Sequence, residues 1–449
     1  MTSSASLQPS PLRRDFVWGV STSSYQIEGA AAADGRGPSI WDVFSHQSGR
    51  IANGDTGDVA CDHYHRWAED IALMRDIGVK AYRFSTAWSR ILPTGRGRPN
   101  EAGLAFYDRL IDGLLEAGIE PWLCLYHWDL PQGLHERGGW ASRDMAGWYG
   151  DYATLIARRY GDRVKRFATF NEPSVFALFG YLFGWQAPGI QDAQAYMKAA
   201  HHVNLAHGRA VDVLRATVQN ASVGIIHNRQ PCLPSHETAE DRAAANSLDV
   251  CWNRLFPDPQ LRGFYPDGVQ GLVDPYVLPG DMAAICRPID WFGLNHYSPI
   301  FARADARAPF GFAWADPPKN TGSLTQVGWQ VRPDAFKAVL LDLHNIYKLP
   351  IYVLENGCGS FEQADESGNV DDRDRIDFLI RYTAAMREAI AEGADVRGYF
   401  VWSLLDNFEW GAGYSQRFGL VHVDYKTQKR TPKASARWYR QLIRKAGEA

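Results

Sequence analysis

Val164-Lys165-Arg166-Phe167-Ala168-Thr169-Phe170-Asn171-Glu172-Pro173 is an apolar-rich run that stops on an amide, a carboxylate and a proline. It reads as a short strand meeting a loop. Pro173 has no backbone N–H for a ladder, and it biases the residue before it toward extended backbone. Glu172 is therefore expected in extended conformation at a strand end. A second stretch repeats the arrangement much later: Ile351-Tyr352-Val353-Leu354, then Glu355-Asn356-Gly357. Two acidic residues at the ends of two well-separated strands suggest one pocket with two carboxyl groups.

Working outward, short apolar, β-branched or aromatic runs alternate with amphipathic stretches. Strands are predicted over 16–20, 81–85, 120–126, 165–170, 223–226, 291–294, 351–354 and 398–403. Helices are predicted over 64–77, 101–117, 143–160, 192–218, 242–256, 333–347, 373–391 and 432–446. Asp192 suits a helix start because the dipole favours a negative charge there, and Pro333 suits the first turn, where a missing N–H costs little. Eight strands separated by helices predict an α/β fold, a single (β/α)8 barrel with its site at the C-terminal ends of the strands. A doubly wound open sheet is the competing architecture. The Ser- and Pro-rich residues 1–12 read as a disordered lead-in, and residues 13–449 as one domain. The Pro- and Gly-rich stretch 303–328 reads as a long loop of the kind that carries function in barrels.

Bulk properties narrow the classes. The chain has 449 residues, 45% hydrophobic and 22% charged, enough for a large core. A net charge of −4 gives no reason to expect nucleic acid or an anionic membrane as partner, and no run is long enough for a membrane span. The six cysteines are scattered without a CxxC pair, so they read as reduced thiols of a cytoplasmic protein. A homo-oligomer is left open. Sixteen tryptophans suit a carbohydrate-binding surface, although most such rings pack in cores.

The polar residues expected at the barrel mouth are Gln26, Arg83, His127, Asn171, Glu172, Asn295, Tyr297, Glu355 and Trp402. Two carboxyl groups across a sugar-sized gap suit glycoside hydrolysis, in which one donates a proton and the other is ionised. Arg83 beside a carboxylate would favour its ionised form. Asn171 can bind a sugar hydroxyl without competing for the proton.

Motifs along the chain carry a resemblance. They are Phe16-Val17-Trp18-Gly19, Ser23 to Gly29, Gly35 to Asp42, Asp62-His63-Tyr64-His65 and Tyr82-Arg83-Phe84-Ser85. They continue through Trp88-Ser89-Arg90-Ile91, His127-Trp128-Asp129, Asn171-Glu172-Pro173, Glu355-Asn356-Gly357 and the run from Trp402 to Trp410. In this order they resemble glycoside hydrolase family 1, the β-glucosidase family. The resemblance implies a TIM barrel and a retaining double displacement, with Glu172 as acid/base and Glu355 as nucleophile. Arg83, Asn171 and Tyr297 would support catalysis, and Asn171, which holds the 2-hydroxyl, and Tyr297, which bonds the nucleophile, would also bind the sugar. Gln26, His127, Asn295, Glu409 and Trp410 would also bind the sugar, with Trp402 as platform. Phe176, Trp185, Asn228 and Trp329 would form the leaving-group side. It implies no cofactor and no metal. The substrates implied are small β-glycosides: cellobiose, short cello-oligosaccharides and aryl β-glucosides. β-Galactoside or β-fucoside cleavage is an alternative, and a 6-phospho-β-glucosidase a more distant one. Leu354 departs from the family pattern, which commonly has Thr there.

Cys61, His63 and His65 do not have a standard zinc spacing. His201, His202 and His207 read as packing or surface residues of a long helix, and Asp371, Asp372 and Asp374 as helix-start carboxylates. Gly95-Arg96-Gly97-Arg98 is a loop, since no phosphate-binding motif surrounds it.

Overall fold

The computed structural model describes residues 12–319 and 322–448, so the lead-in expected at residues 1–12 lies, Leu12 apart, outside the described residues. Eight parallel strands close a barrel: β1 (Val17–Ser21), β2 (Ala81–Ser85), β3 (Glu120–Cys124), β4 (Arg166–Asn171), β5 (Ser222–Asn228), β6 (Trp291–Asn295), β7 (Ile351–Asn356) and β8 (Val396–Trp402). Each pairs with its neighbours in sequence, and β1 closes on β8 from Val17 opposite Gly398 to Ser21 opposite Trp402. An open sheet is thereby excluded. Every strand end lies within two residues of the sequence reading.

The outer helices are α1 (His63–Ile77), α2 (Glu101–Glu116), α3 (Met145–Tyr160), α4 (Ala193–Thr217), α5 (Ala239–Asp249), α6 (Pro333–Tyr347), α7 (Arg373–Ala391) and α8 (Ala434–Glu448). Their ends obey local chemistry. Gly78 closes α1 in the left-handed region at φ 88°, where its N–H reaches the carbonyls of Met74 and Arg75. Asp192 caps α4 by accepting the N–H groups of Gln194 and Ala195 at 2.7 and 3.0 Å. The helix expected over 242–256 differs. α5 starts earlier, where Thr238 accepts the Asp241 N–H, and then runs into a π turn, Val250–Arg254. A π turn adds a residue to the helical repeat and rotates the side chains beyond it to a new face.

The barrel interior is plugged by side chains rather than open. Trp122, Trp291, Tyr352, Leu354 and Phe400 fill it, with Trp122 4.8 to 5.3 Å from the other three rings. Leu354, the departure from the family pattern, belongs to this plug. Strict alternation along β4 would put Ala168 and Phe170 inward and Asn171 outward. Instead the pairing of β4 with β5 shifts between Ala168 and Asn171, and Phe170 packs outward with Tyr126, Trp140 and Tyr149. In β7 the pairing with β6 shifts between Val353 and Glu355. Each irregularity turns the terminal polar residue into the mouth.

The stretch 303–328, read as loop, contains a strand. Phe312–Ala315 pairs antiparallel with Ile300–Ala304, which pairs in turn with Cys232–Pro234. This small sheet stands over one side of the mouth. On the other side, the loop after β8 is clasped from below. Asp406 accepts from Lys433 and Arg417, each at 2.7 Å, and Lys433 also meets Glu362, which pairs with Arg375 at 2.8 Å. Asp406, Lys433, Arg417 and Arg375 are buried and Glu362 is half-buried, and their opposite signs alternate.

Candidate active site

A cavity of about 410 Å³ opens at the C-terminal ends of the strands. Glu172, Glu355, His127, Asn228, Tyr297, Trp329, Trp402, Glu409 and Trp410 line it. The two motif carboxylates, far apart in sequence, therefore share one chamber. Gln26, Arg83, Asn171 and Asn295 are fully buried just behind the lining and hold the groups that face it.

The two carboxylates have different company. Around Glu355, Arg83 donates from its guanidinium to Oε1 and the Tyr297 hydroxyl donates to Oε2 at 2.5 Å. Around Glu172 the donors are neutral amides: Asn295 Nδ2 at 2.7 Å and Asn228 Nδ2 at 2.9 Å, both to Oε1. Asn295 Nδ2 also donates to Asn171 Oδ1 at 3.1 Å, which ties the Glu172 side of the chamber to the amide before it. Close carboxyls, about 5–5.5 Å apart, belong to retaining glycoside hydrolysis, whereas inverting enzymes need room for a water between them.

The titration follows the company. Burial, and then the neighbouring Glu355 carboxylate, push Glu172 up to about 8 against its amide donors. Burial raises Glu355 as well, but Arg83 and Tyr297 oppose the rise. Glu355 is thus the group that ionises first, and Glu172 the one that keeps its proton near neutral pH. Burial pushes the Tyr297 phenol well up, with Glu355 adding to it, so it remains a donor.

A third carboxyl, Glu409, is also raised to about 8 by burial and by Glu355. Gln26 Nε2 donates to Asn407 Oδ1, to the Phe408 carbonyl and, at 3.5 Å, to Glu409. Trp402 and Trp410 flank the His127 ring, each 5.9 Å from it and within 19° of parallel. Burial and Arg83 hold His127 well below its usual pKa, so the imidazole is neutral. Asn171 lies between His127 and Asn295, 3.2 and 3.1 Å away.

Backbone strain gathers here. Glu172 is left-handed (φ 49°, ψ 61°), not extended as Pro173 suggested, and it precedes the short helix Pro173–Ala177. Trp128 and Trp410 also have positive φ, 81° and 48°. Such conformations persist in non-glycine residues only where the surroundings hold them. Gly357 is required for a simpler reason: a Cβ there would sit 2.1 Å from the Trp402 carbonyl oxygen.

On the side expected for the leaving group, the side chains that line the cavity differ in part from the sequence reading. Phe176 is buried against Tyr126 and Trp140, 5.2 and 6.3 Å away, and faces the helix layer rather than the cavity. Val175 and Phe179, its neighbours on the same short helical stretch, face the cavity instead. Trp185 stacks on Phe183 at 4.5 Å and is half exposed outside the lining. Trp252 and Trp314 line the cavity here. They stand 5.5 Å apart, each also about 5.5 Å from Phe179. Gln186, Gln230, Ser298, Phe301, Asp316 and Phe418 also line the cavity, and no motif in the sequence marks them.

Other features resolve as structural. Cys61 donates to the Asp406 carbonyl, His63 pairs with Asp70 at 2.7 Å, and His65 pairs with Asp62. Among the described residues no group of three or more His, Cys, Asp or Glu side chains is placed to hold a metal ion. His201, His202 and His207 are buried, not surface, residues, and Asp372 is buried on Arg375 and Ser435. Among the described residues no helix is long and apolar enough to cross a membrane.

Known proteins share both the sequence and the fold. Residues 8–448 match the model of glycosyl hydrolase family 1. The chain is 46% identical to beta-glucosidase A of Thermotoga maritima over 439 residues, which cover 96% of this chain and 97% of the relative. It is 44% identical to a bifunctional beta-D-glucosidase/beta-D-fucosidase of Bifidobacterium breve, over 96% and 97% of the two chains. The solved structure of the Thermotoga maritima beta-glucosidase in complex with glucoimidazole superposes with a TM-score of 0.91, at 44% identity, over 97% of this chain and 99% of that one.

Proposed function

The chain belongs to glycosyl hydrolase family 1 and is a retaining β-glucosidase; from that premise we propose which residues carry the reaction and which substrates it serves. Glu355 attacks the anomeric carbon of a terminal non-reducing β-D-glucosyl residue. Glu172 protonates the departing oxygen at the same time. The C1–O bond to the leaving group breaks, and a covalent glycosyl-enzyme forms on Glu355. Glu172, now ionised, takes a proton from water. The water oxygen attacks C1, frees Glu355, and gives a product with the starting β configuration.

The observation that carries these roles is the contrast in company. The carboxylate that meets a cation and a phenol is the one suited to attack as an anion. The carboxylate that meets amides and sits near 8 is the one suited to hold a proton. Trp402 serves as sugar platform, with Gln26, His127, Asn171, Asn295, Glu409 and Trp410 around the hydroxyls. Asn228 and Trp329 border the leaving group together with Trp252, Trp314 and Phe179.

The substrates proposed are cellobiose, short cello-oligosaccharides and aryl β-glucosides. The working role is cellulose and other polysaccharide breakdown in the cytoplasm. The six unpaired cysteines support that compartment. The dual name of the Bifidobacterium breve relative supports β-fucoside cleavage as a second activity. A 6-phosphoglycoside fits less well, because among the described residues no lysine or arginine lines the cavity to meet a phosphate. A rate panel over p-nitrophenyl sugars, cello-oligosaccharides and p-nitrophenyl 6-phosphoglucoside tests this reading. Turnover of the unphosphorylated glucoside and of cellobiose is expected. Release of nitrophenol from the phosphorylated sugar alone would overturn it.

A further inference from the structure

The orientation of the Asn228 side chain is dictated from outside. The backbone N–H groups of Tyr297 and Ser298 both donate to Gln230 Oε1, at 3.3 and 3.2 Å. A backbone N–H can only donate, so Gln230 must turn its NH2 the other way. That NH2 donates to Asn228 Oδ1 at 2.8 Å. The indole Nε1–H of Trp252, also a donor only, reaches the same Oδ1 at 3.2 Å. With its oxygen taken by two donors, Asn228 presents its NH2 to Glu172 Oε1. Asn295 fills the same oxygen from the other side. All of these side chains are buried.

We propose that Trp252 and Gln230 are positioning residues for proton transfer: they lock the Asn228 amide with its N–H toward Glu172 Oε1, and so keep the acid proton on Oε2. Trp252 does this while its ring lines the leaving-group wall, so one side chain both touches the aglycone and orients the acid. The π turn matters to this arrangement, because it carries Trp252 and also Asn253, whose Oδ1 accepts the Gln230 N–H at 3.2 Å. The assignment rests on Glu172 being the acid/base. The charged and titratable groups around Glu172 are Glu355 on β7, Arg83 on β2 and Tyr297 beyond β6, with neutral His127 one amide further.

Each donor lost weakens the hold that keeps Asn228 from reversing and offering Oδ1 to a protonated Glu172. A hydrogen bond to the neutral form raises a pKa. Trp252→Phe keeps a ring and removes the N–H; Gln230→Met keeps the length and removes the amide. In each, the basic limb of kcat/KM against pH is expected to rise by about half a pH unit. The loss in kcat/KM is expected to be about tenfold on cellobiose and alkyl glucosides, which need the acid, and less than about twofold on 2,4-dinitrophenyl glucoside, which does not. A basic limb that stays put in either folded variant overturns the assignment, as do equal losses on both kinds of substrate. Glu172→Ala separates the acid role from the positioning role. If the basic limb survives in Glu172→Ala, the acid role itself is wrong. If it vanishes there but does not move in Trp252→Phe or Gln230→Met, only the positioning role falls.

Discussion

Glu172 and Glu355 are equally hidden, each 4% exposed, yet the molecule treats them as opposites. Glu355 sits in a charged corner, between a guanidinium and a phenol that come from β2 and from the loop after β6. Glu172 sits in a neutral one, between amides from β5 and β6. Burial alone would make both weak acids. The difference between them is supplied entirely by what the neighbouring strand ends bring. In a barrel mouth, a carboxyl group's role is therefore set across the barrel rather than along the chain.

That contrast can be broken in order of expected damage. Glu355→Ala should lower turnover by about 10⁵-fold, since no anion is left to attack. Added azide should restore part of the rate and give the α-glycosyl azide, identified by NMR. Glu172→Ala should cost about 10³-fold on alkyl glucosides and much less on 2,4-dinitrophenyl glucoside, with azide giving the β product. Exchanged product configurations would reverse the two roles. Arg83→Gln removes the cation that keeps Glu355 ionised. Its acidic limb should move to higher pH, and kcat/KM should fall by about 10²-fold, read from a full pH profile. Tyr297→Phe should move the same limb in the same direction with a loss of about tenfold. The unmodified enzyme should lose activity as pH rises through about 8, where Glu172 gives up its proton.

Much of this site could be read along the chain because its motifs are short and end on strands. Asn171-Glu172-Pro173 and Glu355-Asn356-Gly357 announce themselves as polar residues after apolar runs. Their inward direction was not visible. Alternation points Phe170 into the barrel, and only the shifted pairing near Ala168 turns Asn171 inward instead. The opposite wall was less legible for a related reason. Phe176 and Phe179 are both aromatic and three residues apart. Which of them faces the cavity depends on the left-handed Glu172 that starts their helix. Trp252 reads in sequence as an ordinary residue of a continuous helix, and only the π turn re-aims it. Trp314 lay in a stretch read as loop, and its strand exists only because Ile300–Ala304 is there to pair with it. Local pattern reports the ends of strands well. It does not report a change of helical phase, or a partner distant in sequence.

The clasp on Asp406 gives the far end of the chain a say in sugar binding. Lys433, just before α8, pairs with Asp406 in the loop on which Glu409 and Trp410 ride. The final helix cannot peel away without leaving Asp406 buried and short of a counter-charge, at a cost of about 3–5 kcal/mol. Warming the enzyme should therefore produce no partly frayed form that still works. A protease nick between Arg430 and Lys433 would silence it, even though every group proposed to touch the sugar lies upstream of the cut.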